Sequence, residues 1–291
     1  MLLIIVSHQI LANLRLPILV LPLLFAATAQ AALHREKLEY EQGNAALEGY
    51  LAYDDTFKGP RPGIVLFHDW MGVGPYVQGR ADQLAELGYV VLAADVYGKG
   101  IRPATRQEAS AQAGIYTADR TLMRARAQAA LDALRRLPLV DTMHIVAMGY
   151  CFGGGVALEL ARSGAAIAGV VTFHGSLSTT LPAESGAVKA KLLVLQGADD
   201  PVAPIKQIGT FEDEMRKAGA DYQIVLYGGA VHTFTNPAAG NNPATGSAYN
   251  KDADRRSWEA MKQFFREVFG ETQTPSSKSQ TPTKSQGTKF Q

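Results

Sequence analysis

The chain is predicted to fold as a doubly wound, mostly parallel α/β sheet with an antiparallel N-terminal hairpin. Three observations carry this expectation. Six short apolar runs recur along the chain, of the kind buried on both faces of a parallel sheet, and helical segments separate most of them. Two alternating segments precede them, joined by Gly43-Asn44. Finally, Gly149-Tyr150-Cys151-Phe152-Gly153 sits between an apolar run and a helix-like stretch, which reads as strand, sharp turn, helix.

Residues 1–31 carry a single charged side chain, Arg15, and Leu16–Ala27 is almost wholly apolar. Ala29-Gln30-Ala31 then offers a small-x-small cleavage site. This reads as a secretory signal peptide rather than a membrane span, since Pro17 and Pro22 suit a cleaved segment better than a stable helix. A single domain is expected over residues 32–271, long enough for a sizeable core. Thr272–Gln291, rich in Thr, Ser, Pro, Gln and Lys, reads as a disordered tail.

Within the domain, Leu38–Tyr40 and Leu47–Tyr53 form the hairpin. The parallel strands follow at Gly63–Phe67, Val90–Ala94, His144–Met148, Ile167–Phe173, Lys191–Gln196 and Tyr222–Tyr227. Helices are predicted at Val77–Leu87, at Ala104–Arg136 with a break near Gly114–Thr117, and at Val156–Arg162, Ile205–Ala218 and Asp252–Phe269. The 28 Lys and Arg balance 27 Asp and Glu, so no basic field points to nucleic acid or anionic lipid. Cys151 is the sole cysteine, which rules out an internal disulfide.

The glycines around Cys151 keep its turn sharp, and the turn sets the sulfur at a helix N-terminus, where a thiolate and an oxyanion are favoured. This is the pattern of a nucleophile elbow with sulfur in place of the serine oxygen. A buried structural cysteine would explain the sulfur but not the glycines. Other strand ends supply matching groups: Asp199-Asp200 after Lys191–Gln196, His232 after Tyr222–Tyr227, and His68-Asp69-Trp70 after Gly63–Phe67. Their order of nucleophile, acid and histidine is the one an α/β-hydrolase requires. Loop aspartates often only cap turns, and a single histidine is often structural. Three roles in order, each at a strand end, weigh against that. His68, Asp69, His174, Asp199, Asp200 and His232 could be metal ligands, but no close His-x-His or His-x3-His spacing supports a metal.

From Leu38 to Phe269 the chain resembles the dienelactone hydrolase family of α/β-hydrolases. The resemblance rests on Gly149-Tyr-Cys-Phe-Gly-Gly, Gly197-x-x-Asp200-x-x-x-Pro204 and His232-x-Phe234. It implies a triad of Cys151, Asp200 and His232, with an oxyanion hole from the N–H groups of Trp70 and Phe152. A family glutamate that helps to form the thiolate is matched by Asp69, one methylene shorter. The family's two substrate-gripping arginines are matched by Lys99, beside Tyr97, and by Asn236, so the grip on an anionic substrate is weakened. Trp70, Met71, Tyr97, Tyr116 and Phe234 suggest a more apolar site.

The expected reaction is hydrolysis of a small ester or lactone through a thioester, with no metal or organic cofactor. A serine-type esterase is excluded by the residue at the elbow. A non-catalytic ligand-binding or thiol-sensing protein on the same fold is the alternative. No nucleic-acid partner is expected, no stable membrane insertion after signal cleavage, and a monomer. Export to the periplasm or beyond is the expected location. N-terminal sequencing of the exported protein should then begin near Ala32, whereas an intact Met1 on soluble cytoplasmic protein would refute export.

Overall fold

Strand alternation dictates how the molecule is layered. The computed structural model describes residues 33–270, so the expected signal peptide and tail lie outside the described residues. Eight strands form one sheet in the order β1-β2-β4-β3-β5-β6-β7-β8. They are β1 (Leu33–Gln42), β2 (Ala45–Asp54), β3 (Arg61–Phe67), β4 (Val90–Ala94), β5 (Val140–Tyr150), β6 (Gly169–Phe173), β7 (Lys191–Gly197) and β8 (Tyr222–Tyr227). The pairs β1–β2 and β2–β4 are antiparallel, and all the others are parallel. Gly43, at φ 56°, turns the hairpin so that Gln42 pairs with Ala45.

Successive side chains of each central strand enter opposite cores. Val65, Phe67, Ala147 and Val194 face the layer holding α3 (Arg120–Arg135), α4 (Phe152–Arg162) and α5 (Ile205–Ala218). Ile64, Leu66, Met148 and Leu195 face α1 (Pro75–Glu86) and α6 (Lys251–Phe269). This two-sided burial is why the runs read as continuously apolar.

Several boundaries differ from the sequence expectation, and two of the differences have a clear local cause. The long helical stretch breaks at Asp119 rather than near Gly114–Thr117, giving α2 (Arg106–Ala118) and α3. Gly114 stands in open space within α2, whereas the Asp119 carboxylate accepts the Leu122 N–H at 2.9 Å and starts the next helix. Helix α4 begins at Phe152, four residues earlier than expected, and takes Gly153, Gly154 and Gly155 into its first turn. Each glycine costs about 1 kcal/mol of helix propensity relative to alanine. Close approach of main chains overrides that cost: a Cβ on Gly153 would lie 2.2 Å from the Phe67 carbonyl oxygen, and one on Gly149 would lie 2.0 Å from that of Gly153.

The sheet order reverses between β3 and β5, where β4 lies to one side and β6 to the other. Their register pairs Phe67 with Gly149. The chain three residues beyond Phe67 therefore lies level with the turn at Cys151, in the crevice where α/β sheets bind ligands.

Gly149→Ala should destabilise the fold by about 3 kcal/mol or more, at or beyond the upper end of ordinary overpacking. Gly79→Ala, in α1 with nothing within 4 Å of the added methyl, should instead stabilise by about 0.5–1 kcal/mol. Urea unfolding of the two variants checks both signs.

Candidate active site

Cys151 caps α4 with φ 54° and ψ −119°, a conformation that L residues adopt only under constraint. Its main chain is fixed on both sides. The Cys151 N–H donates to the Phe173 carbonyl at 3.1 Å, and the Cys151 carbonyl accepts from Gly154 N–H at 3.1 Å and Ser176 N–H at 3.4 Å. Cys151 as a residue is half-buried.

His232 arrives on the long connection between β8 and α6. That connection crosses the end of β7 so closely that a Cβ on Gly197 would meet the Ala230 carbonyl at 2.5 Å. The His232 Nε2 lies 3.1 Å from Cys151 Sγ, and Nδ1 lies 2.9 Å from Asp200 Oδ2. The second Asp200 oxygen accepts the N–H groups of Val202 at 2.8 Å and Ala203 at 3.3 Å, so the buried carboxylate is oriented by its own loop. Asp199 points elsewhere, accepting Gly229 N–H at 3.1 Å. Burial opposes charge on His232, but the Asp200 carboxylate and the Cys151 sulfur outweigh it and raise the ring from 6.5 to about 10. The imidazole thus holds its proton at neutral pH.

The β3-end loop packs beside this chain of groups. Phe152 begins α4, so its N–H is one of the helix-start donors with no intrahelical acceptor. The Asp69 carboxylate accepts Met71 N–H at 2.8 Å, one residue past Trp70. Asp69 thus closes its own turn, and among the described residues no hydrogen bond joins it to Cys151. Burial raises its pKa, while the charge of His232 acts in the opposite direction. Beneath the loop, burial lowers His68 to about 4, so its ring is neutral. Its Nδ1–H then donates to the Asp69 carbonyl, leaving Nε2 to accept Val96 N–H at 3.3 Å. His68 ties the ends of β3 and β4 together and carries no metal-like cluster with it. Among the described residues, no three His, Cys, Asp or Glu side chains converge as metal ligands would.

The expected substrate-binding residues divide. Tyr97 is buried under the site, donates to the Trp70 carbonyl at 3.0 Å and packs against Phe152 with ring centroids 5.5 Å apart. Lys99 is turned to the surface instead, where its ammonium pairs with Glu39 of β1 at 2.7 Å. The Asn236 side chain accepts Ala238 N–H at 2.9 Å and caps a short turn ahead of it. Among the described residues, neither side chain has a hydrogen bond or ion pair to Cys151, Asp200 or His232. Sequence reasoning weighed His174 only as a metal ligand and gave no role to Thr235; the two lie against His232 and within its loop. The one available signal was a histidine followed by glycine at a strand end, His174-Gly175.

A cysteine at the sharp turn after β5, an aspartate after β7 and a histidine after β8, on a mostly parallel sheet, have the arrangement of an α/β-hydrolase. The comparisons narrow this. The profile of the Dienelactone hydrolase family matches residues 47–269, and the chain belongs to that family. A Saccharolobus solfataricus protein bearing the name "Putative carboxymethylenebutenolidase" is 25% identical over 267 residues, covering 80% of this chain and 98% of that one. The solved structure of "Dienelactone Hydrolase-like Promiscuous Phosphotriesterase P91", from metagenomic libraries, is 40% identical with TM-score 0.77, and covers 83% of this chain and all of that chain. A second structure, named m3DLH, is 38% identical with TM-score 0.78 over 82% of this chain and all of its own. The protein is an ester or lactone hydrolase.

Proposed function

We propose that the protein hydrolyses a small carboxylic ester or lactone through Cys151, His232 and Asp200, by way of a thioester acyl-enzyme. The observation that most supports this is the unbroken chain from Cys151 Sγ to His232 Nε2 and from His232 Nδ1 to Asp200 Oδ2. A thiol sensor needs an accessible sulfur but no carboxylate held behind the histidine, so the chain favours hydrolysis over the binding or sensing alternative.

In this reading the Cys151 thiolate forms a bond to the carbonyl carbon, and the carbonyl electrons move onto oxygen. The N–H groups of Trp70 and Phe152 receive that oxyanion, each donor lowering the barrier by roughly 3 kcal/mol. Collapse breaks the bond to the alkoxide, which takes the proton from His232 Nε2. Acylation removes the sulfur's charge, and with it one of the two influences that hold the proton on His232. The imidazole, now neutral, takes a proton from water as the resulting hydroxide attacks the thioester carbonyl, and collapse of that intermediate breaks the C–S bond. The acid product leaves, and the thiolate–imidazolium pair is restored.

The test is a panel of neutral and anionic esters and lactones. It includes a dialkyl aryl phosphate, because P91 is described as a promiscuous phosphotriesterase. Cys151→Ala should abolish turnover with the fold intact, and full activity in that variant would sink the reading. Asp200→Asn should lower kcat by about 10⁴, the loss seen when a triad aspartate is amidated. Asp199→Asn should cost far less, and the reverse ranking would mean that the wrong carboxylate had been assigned.

The pH dependence has a definite sign. His232 must give its proton to a poor leaving group, so kcat/KM for an alkyl ester should fall as pH rises through about 10, where the ring loses that proton. An activated aryl ester, whose leaving group departs unprotonated, should keep its rate across the same range. Parallel pH profiles for the two substrates decide whether His232 is the acid.

A further inference from the structure

Among the described residues, three besides glycine have positive φ: Cys151, His174 at 41° and Thr233 at 62°. All three stand at the site. Cys151 carries the sulfur, and Thr233 follows the histidine. Nothing in the reaction above accounts for His174. It directly follows β6, is fully buried, and is pinned through its N–H to the Leu195 carbonyl at 2.8 Å. Its ring lies edge-on to His232 with centroids 5.3 Å apart, and edge-on to Phe234 at 5.2 Å. Burial takes its pKa well below 6.5, and the charges of His232 and Arg80 act in the same direction. It is therefore a neutral ring beside a charged one.

The polar contact of that ring is with Thr235, three residues beyond His232. His174 Nε2 lies 2.7 Å from Thr235 Oγ1, and the Tyr76 hydroxyl lies 2.6 Å from the same oxygen. The Thr235 carbonyl accepts from Arg80, whose guanidinium pairs with Asp254 at 2.7 Å. His174 after β6 and two residues of helix α1 thus converge on one fully buried threonine, with Asp254 of α6 holding the arginine. Between it and His232 stands Thr233, a β-branched residue in the left-handed region, where such residues persist only if the surroundings hold them. On the other side of the loop, His232 is bracketed by its own backbone, with N–H to the Gly246 carbonyl at 3.2 Å and carbonyl to Ala248 N–H at 3.0 Å.

The geometry points to Thr235, gripped by His174 and Tyr76, as the positioning residue that holds His232 between Cys151 and Asp200. This rests on the reading of His232 as the base, and it adds a role that the triad does not contain. The hydroxyl anchors the strained turn at its far end. Without it the turn relaxes, and the imidazole swings out of line with both partners. The bland alternative is a polar cluster that stabilises the core and leaves the imidazole where it is.

Thr235→Val keeps the shape and removes the hydroxyl, Thr235→Ser restores it, and His174→Phe keeps a ring without the nitrogen. Each is compared with wild type by steady-state kinetics on an activated ester, iodoacetamide alkylation of Cys151, NMR titration of the His232 ring and thermal melting. Thr235→Val should lower kcat by about tenfold or more with KM within about twofold, since orientation rather than binding is lost. Alkylation should slow in parallel, and His232 should titrate below its wild-type value. Thr235→Ser should recover all three. If Thr235→Val does not fold, His174→Phe should show the same pattern. A folded variant with wild-type alkylation and His232 titration overturns the proposal, whether or not its kcat or melting temperature has fallen. Were wild type to hydrolyse no ester at all, the catalytic reading would fail, while alkylation and titration would still decide whether Thr235 positions the ring.

Discussion

Everything at the site depends on how closely the turn at Cys151 can press against the end of β3. With hydrogen in place of a side chain at Gly149 and Gly153, β5, α4 and the Phe67 carbonyl come within distances that no Cβ would permit. That contact brings the start of α4, with the Phe152 N–H, against the end of β3, from which the loop carrying Trp70 departs. It also explains why a helix starts on three glycines: packing supplies what propensity withholds. The same loop is held from below by a neutral His68 and from above by the Asp69 carboxylate closing onto Met71.

Charge balance is the second constraint. A histidine buried this deeply would ordinarily lose its proton, as His68 and His174 do. His232 differs because a fixed carboxylate lies on one nitrogen and a sulfur on the other. Three histidines near one crevice thus divide between two protonation states: burial leaves two neutral, and the partners of the third hold its proton in place. The two neutral rings are tied into neighbouring loops by hydrogen bonds, and the charged ring is the one the proposed reaction uses to move protons.

Much of this could be read from the sequence, for reasons that are physical. Buried parallel strands must be apolar on both faces, so β3 to β7 announce themselves, and the sharp turn at Cys151 needs small neighbours that stand out in the chain. The order of Cys151, Asp200 and His232 follows from strand ends in succession. Strand order within the sheet did not show, because pairing is a tertiary choice. The start of α4 was missed because glycine reads as a helix breaker until the opposing main chain is seen. Lys99 looked like a substrate cation because of where it stands after β4, and only the Glu39 side chain of a distant strand reveals where its ammonium goes. His174 and Thr235 are 61 residues apart, a separation across which no local pattern speaks.

The assigned oxyanion donors are main-chain amides, and that has a consequence for heredity. Every residue type but proline carries the same N–H, so point mutation at Trp70 or Phe152 alters the walls of the crevice and leaves the donor in place. In the proposed reaction Cys151, Asp200 and His232 have no such insulation, since each acts through its side chain. Substitution can therefore reshape which substrates fit around a persistent oxyanion-binding corner, while the proposed nucleophilic half tolerates no change at three codons.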